Sequence, residues 1–178
     1  MYKEKEVRIH IDDIKDFRKK LKELGAVLVR RYSCIDYVCE PRKKHWNPHF
    51  VNLKIRHQVT GDRAGVIEMS LHKVRWTKGV KITTLGFKAV LEIPKSRIKD
   101  FIDLMDFQKL TTYSRKGEHY QIGDYHFTLE KINHGGYLLE IETETMKRLQ
   151  KTLKLLGEKN HIVKKSVPEL VLEKLNSK

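Results

Sequence analysis

Charged and apolar side chains alternate from the start of the chain, with Glu4, Glu6 and Arg8 on one parity and Val7 and Ile9 on the other. Successive side chains of a β-strand point to opposite faces, so this period of two predicts a strand over residues 2–10 with two acids and a base on one face. The pattern then recurs. Val51 to His57 sets Asn52, Lys54 and Arg56 against Val51, Leu53 and Ile55, and Gly65 to His72 sets Glu68, Ser70 and His72 against Ile67, Met69 and Leu71. Phe87 to Ile93 places Lys88 and Glu92 opposite Phe87, Ala89, Leu91 and Ile93. Strands are also predicted over 26–39, over 112–120 with Arg115, Gly117 and His119 together, over 124–130 with His126, Thr128 and Glu130 together, and over 137–144 with Leu138, Glu140, Glu142 and Glu144 together. These are eight strands in all.

Elsewhere the spacing changes to threes and fours. Ile14, Phe17, Leu21 and Leu24 predict an amphipathic helix over 11–24, capped by Asp12 or Asp13 and followed by Gly25. Ser96 suits the cap of a second helix presenting Ile98, Phe101, Ile102 and Met105, a third covers 145–156 before Gly157, and a last one begins at Pro168. Pro41–His49 and Arg75–Lys81 read as basic loops containing Trp46 and Trp76. His45 and His49 have a spacing that chelates metal on a helix, but the two prolines favour a mobile loop that carries two histidines.

Short connections favour antiparallel pairing, and an even number of such strands can close into a barrel without edges. The apolar helix stripes need an apolar partner, which the apolar strand faces supply, so the helices belong outside and the charges inside. The expected fold is α+β: a closed eight-stranded antiparallel β-barrel, a tunnel, with helices packed outside, forming a single domain over residues 1–178.

Charge sharpens the picture. Lys and Arg outnumber Asp and Glu 37 to 23, a net charge of +14 that favours anionic partners. Two cysteines, Cys34 and Cys39, are too few for a disulfide scaffold or a four-thiolate zinc site; their spacing puts them on opposite strand faces, as structural residues of a reducing cytoplasm. A charged first strand and the lack of any bilayer-length apolar run give the expectation of a cytoplasmic protein with no membrane partner. So many ionised groups in a lumen require water, cations and an anionic ligand there. Carboxylates are hard ligands for Mg²⁺ or Mn²⁺, while Arg and Lys hold phosphoryl oxygens.

Glu4-x-Glu6-x-Arg8 resembles the Glu-x-Glu-x-Lys signature of the CYTH superfamily, the triphosphate tunnel metalloenzymes, which include class IV adenylate cyclases, thiamine triphosphatases and inorganic triphosphatases. The similarity continues through Ile35-Asp36-Tyr37, Leu53-Lys54-Ile55-Arg56, Leu129-Glu130-Lys131-Ile132, Gly136 to Glu142 and the tail from Lys165 to Leu170. The resemblance implies Glu4 and Glu6 as catalytic groups and Glu4, Glu6, Glu130, Glu140 and Glu142 as ligands of Mg²⁺ or Mn²⁺. It implies Arg8, Lys54, Arg56, Lys88 and Arg115 as phosphate-facing, with His72 at an expected lysine and Lys73 brought in by a bulge. Besides His72, three departures stand out: Arg8 replaces Lys, Glu130 replaces Asp, and Gly117 replaces an arginine.

The implied activity is metal-dependent hydrolysis of a linear triphosphate, inorganic or organic. The alternatives are a class IV adenylate cyclase making cyclic AMP from ATP and a non-catalytic binder of a phosphorylated ligand. The expected partner is a small-molecule triphosphate. Nucleic acid ranks lower, though the net charge and the two tryptophans in basic loops leave it open, and the chain is expected as a monomer or homodimer.

Overall fold

A computed structural model describes residues 5–143, 145–157 and 162–177. The elements follow in the order β1 (Lys5–His10), α1 (Ile14–Glu23), β2 (Val27–Pro41), β3 (Val51–Thr60), β4 (Ile67–Thr77), β5 (Val80–Leu91), α2 (Ile98–Leu104), β6 (Phe107–Ile122), β7 (Tyr125–Ile132), β8 (Gly136–Thr143), α3 (Met146–Leu156), β9 (Ile162–Val163) and α4 (Val167–Asn176). All strand pairs are antiparallel, in the order β5-β4-β3-β2-β6-β7-β8-β1, and β1 returns to β5 to close an eight-stranded barrel. The closure is narrow: Lys5 faces Ile82 and Glu6 faces Lys81, after which β1 pairs with the two residues of β9 instead.

The period-two faces divide inside from outside as the sequence predicts. Val7, Ile9, Phe127, Leu129, Leu139 and Ile141 form an outer apolar surface on which Phe17 and Leu21 of α1 and Leu149 and Leu156 of α3 pack. Ile98 and Ile102 of α2 cover Leu53, Ile55 and Ile67 in the same way. Cys34 and Cys39 are free and buried, with Cys39 in this second outer cluster. Asp13 caps α1 through the backbone N–H groups of Lys15 and Asp16, and Gly157 ends α3 in the left-handed conformation.

Several boundaries differ from the sequence reading. Arg75–Lys81 is no loop: β4 and β5 run through it, joined by Lys78 and Gly79, both with positive φ (51° and 80°), in a two-residue hairpin turn. Gly79 is also constrained by packing, because a Cβ there would lie 2.7 Å from Ile162 Cγ2 of β9. A short 3-10 turn, Lys95–Arg97, leads into α2, and Ser96 makes no side-chain cap. No helix among the described residues is long and apolar enough to cross a membrane.

Candidate functional site

The barrel encloses a cavity of about 650 Å³. One end is floored by α4. Its start is fixed by a capping box in which the Ser166 N–H and hydroxyl donate to Glu169 Oε2 at 2.7 Å. Val167 and Val171 then pack on Val38, Tyr113 and Leu138 from the strands. His49 anchors this floor, since its Nδ1 lies 2.7 Å from Glu169 Oε2 and its ring stacks on Trp76 at 4.7 Å, while the Trp76 indole N–H donates to the His49 carbonyl. The segment read as a mobile loop is therefore tied down. Both tryptophans pack within the protein, Trp46 edge-on against Phe107.

Register builds the first wall. Glu6 faces Glu142 and Arg8 faces Glu140 across β1 and β8. Like charges directly opposite in a sheet repel, so this arrangement calls for cations. Arg8 Nε donates to Glu140 Oε2 at 2.8 Å, its Nη2 pairs with Glu6, and Lys81 Nζ donates to Glu6 Oε2 at 2.6 Å. Glu6 Oε1, the oxygen that faces Arg8 Nη2, is buried. Burial disfavours the Glu140 charge, but Arg8, then Arg115 and Lys81, hold its carboxyl far below the usual range. One carboxylate oxygen from each of Glu6, Glu140 and Glu142 lies within 4.8 Å of the others. Three carboxylates converging in this way fit a hard divalent cation such as Mg²⁺ or Mn²⁺. Glu4, expected beside them, lies outside the described residues.

The opposite wall is basic. Lys54 sits on β3, four strands around the barrel from β8, and has no ion-pair partner among the described residues. Burial, then Arg56, Arg115 and Lys81, lower its pKa to about 8. On β4, burial and then Lys54, Lys81 and Lys88 push His72 down to about 4, leaving it neutral at pH 7. Ser70 stands in register between Lys54 and Lys88, and its small side chain keeps the wall open. Lys88 is largely exposed and pairs with Glu68 at 3.1 Å. The bulge invoked for Lys73 does exist, between Lys73 and Val74, but it starts beyond His72 and leaves Lys73 exposed and off the cavity wall.

The remaining expected groups form a third, self-contained cluster, which corrects the reading of Glu130. Arg56 makes a fork to Asp36 at 2.7 and 3.0 Å, and Arg115 Nε lies 3.1 Å from the same carboxylate. Arg115 Nη1 donates to both Glu130 oxygens at 2.8 Å, and the Tyr32 hydroxyl donates to Glu130 Oε1 at 2.5 Å. Glu130 is 1% exposed and is not brought to the acid cluster of β1 and β8. The cause is local. Gly117 stands between Tyr32 on β2 and Glu130 on β7, and without a side chain there the Tyr32 ring crosses to the carboxylate. Arg115 and Arg56 are accordingly engaged by buried acids.

No family model matches the chain, and no curated protein matches its sequence. Solved structures do. It is similar to the PH1819 protein of Pyrococcus horikoshii OT3, with a TM-score of 0.82 and 18% identity over 96% of this chain and 99% of that one. It is also similar to a candidate adenylate cyclase of Vibrio parahaemolyticus, with a TM-score of 0.73 and 12% identity over 95% and 97% of the two chains. A third is HpAC1 of Hippeastrum, described as a candidate adenylyl cyclase with a dominant triphosphatase activity, with a TM-score of 0.67 and 17% identity over 96% and 95%. The chain shares the fold of these three proteins. At such identities the likeness concerns the fold alone.

Three residues of the lumen and its walls escape the sequence reading. Lys81 was hidden by taking its segment as a loop, although Lys81 and Thr83 continue the alternation after the Lys78-Gly79 turn. Asp36 lay inside a matched tripeptide without a role, and Tyr32 carried no signal, because its position depends on an absence at Gly117.

Proposed function

We propose that the chain is an enzyme hydrolysing a linear triphosphate with the help of Mg²⁺ or Mn²⁺. The observation that carries this reading is the opposition, across one cavity, of a half-buried Lys54 with no ion-pair partner among the described residues and the Glu6, Glu140 and Glu142 cluster. One wall suits an anion and the other a cation. Nine Lys and Arg side chains line the cavity against six Asp and Glu, Glu6, Asp62, Glu68, Glu130, Glu140 and Glu142, so its lining carries a formal excess of three positive charges. The basic excess favours a polyanion, and a cation held by the acid cluster would keep that polyanion's charge from opposing the carboxylates.

Glu6, Glu140 and Glu142 would hold the metal, which when bound neutralises charge on the phosphoryl group and acidifies a water. Lys54 supplies a positive charge to the phosphoryl oxygens, and neutral His72 can donate or accept one hydrogen bond. Arg8 and Lys81, beside the acids, can offer further donors to the phosphate without leaving the acid wall. Arg56 and Arg115, locked to Asp36 and Glu130, contribute their field rather than contacts. The floor made by α4 excludes water from that end.

The test is product analysis after incubation with tripolyphosphate, and separately with ATP, in Mg²⁺ or Mn²⁺, beside a control carrying Glu6→Gln and Glu140→Gln. Phosphate released by the wild type alone supports the triphosphatase. Cyclic AMP from ATP would replace it with the cyclase, and no product with any metal would leave a phosphate-ligand binder.

A further inference from the structure

A second cavity of about 320 Å³ lies at the barrel rim, where β7 begins, β8 ends and α3 starts. It shares His119, Thr128, Glu140 and Glu142 with the main cavity, so the two meet at the acid cluster. Its distinctive wall is a pair of imidazoles. His119 on β6 and His126 on β7 stack with ring centroids 5.6 Å apart and planes 13° from parallel. The hydroxyl of Thr128 lies 3.1 Å from His119 Nδ1 and fixes the plane of that ring. Burial, then Arg30 and His126, lower the His119 pKa, so the ring is neutral at pH 7. His126 is exposed, leaving the plate open to a ligand.

The cavity does not continue the phosphate site. Its cation, Arg148, is already engaged, donating to the Asp124 carbonyl and lying over the Tyr125 ring at 5.6 Å. A flat, polarisable plate beside a set of metal-seeking carboxylates suits an aromatic ring joined to a phosphate chain. The volume equals the liquid share of about ten waters, enough for a one- or two-ring heterocycle.

We propose that this annex receives an aromatic heterocycle carried by the substrate, which is then an organic rather than an inorganic triphosphate. The inference rests on the proposed function, since the triphosphate itself lies in the main cavity. Stacking on the imidazoles selects the ring, and the tunnel selects the chain.

The experiment is calorimetric titration with Mg²⁺ and non-hydrolysable imido analogues: imidotriphosphate, its methyl ester, and the analogues of ATP and thiamine triphosphate. The wild type should bind at least one ring-bearing analogue about tenfold tighter than the methyl ester, as stacking worth about 1–3 kcal/mol per ring requires. His126→Ala should bring that ratio towards one, and His126→Phe, which keeps a plate, should preserve it. Equal affinity of the wild type for ring-bearing and methyl probes would overturn the annex, as would a ratio that His126→Ala leaves unchanged. Failure of all four probes to bind the wild type would instead bring down the triphosphate reading, and this inference with it.

Discussion

The ring of Tyr32 lies over Gly117 so closely that a Cβ at position 117 would fall 2.3 Å from Tyr32 Cζ and 2.6 Å from its hydroxyl oxygen. Position 117 is therefore filled, by a side chain from the neighbouring strand. Gly117→Ala should destabilise the fold by about 1–3 kcal/mol through overpacking. In a Tyr32→Ala background the same change should cost far less. Urea unfolding of the four proteins in this cycle checks the coupling, and additive effects would refute the contact.

Arg115 and Lys54 share the lumen but should respond oppositely to removal of their charge. Arg115→Met leaves Glu130 and Asp36 without a buried cation and should cost about 3–5 kcal/mol of stability. Lys54→Met relieves a half-buried charge that lacks an ion-pair partner among the described residues, so it should leave the melting temperature level or higher while weakening tripolyphosphate binding at least tenfold. Thermal unfolding paired with calorimetry separates the two outcomes.

The Lys54 pKa, lowered to about 8, gives anion binding a pH signature. A bound phosphate favours the charged amine, so binding at pH 8 should take up about half a proton, and affinity should fall as pH rises above 8. Stability moves the other way: the unfolded chain holds the Lys54 proton up to about pH 10.4, so between about pH 8 and 10 it binds more protons and this term makes stability rise with pH. Titrations in buffers of different ionisation enthalpy measure the uptake, which Lys54→Arg should abolish.

Mn²⁺ or Mg²⁺ should raise the melting temperature of the wild type, and Glu140→Gln should remove most of that gain. Glu130→Gln should lower the starting stability and yet retain the metal-dependent increment, because Glu130 stands apart from the acid cluster. Loss of the increment in both variants would return Glu130 to the metal.

The barrel itself was legible, because alternation fixes which face of each strand meets the helices, and the helices take only the apolar one. Lys54, Glu6 and Glu140 were legible as lumen residues for the same reason. Partnerships were not. That Arg56 meets Asp36 and Arg115 meets Glu130 follows from strand register around a closed ring, which a linear pattern of period two does not contain. Lys81 escapes for a simpler reason: three basic residues among the seven of Arg75–Lys81 read as a solvated loop, when Lys78-Gly79 alone makes the turn.

Closure of the barrel through Lys5 and Glu6 also bears on the order of assembly during synthesis. β1 leaves the ribosome first, yet its main partner β8 comes more than a hundred residues later, so its backbone groups wait without their sheet neighbours while most of the chain is made. The three-carboxylate cluster spans that same junction and comes together only when the first and last barrel strands meet. The proposed metal site is thus a property of the finished ring, and a nascent or truncated chain lacking β8 would contain Glu6 and the basic wall without Glu140 and Glu142 to complete the cluster.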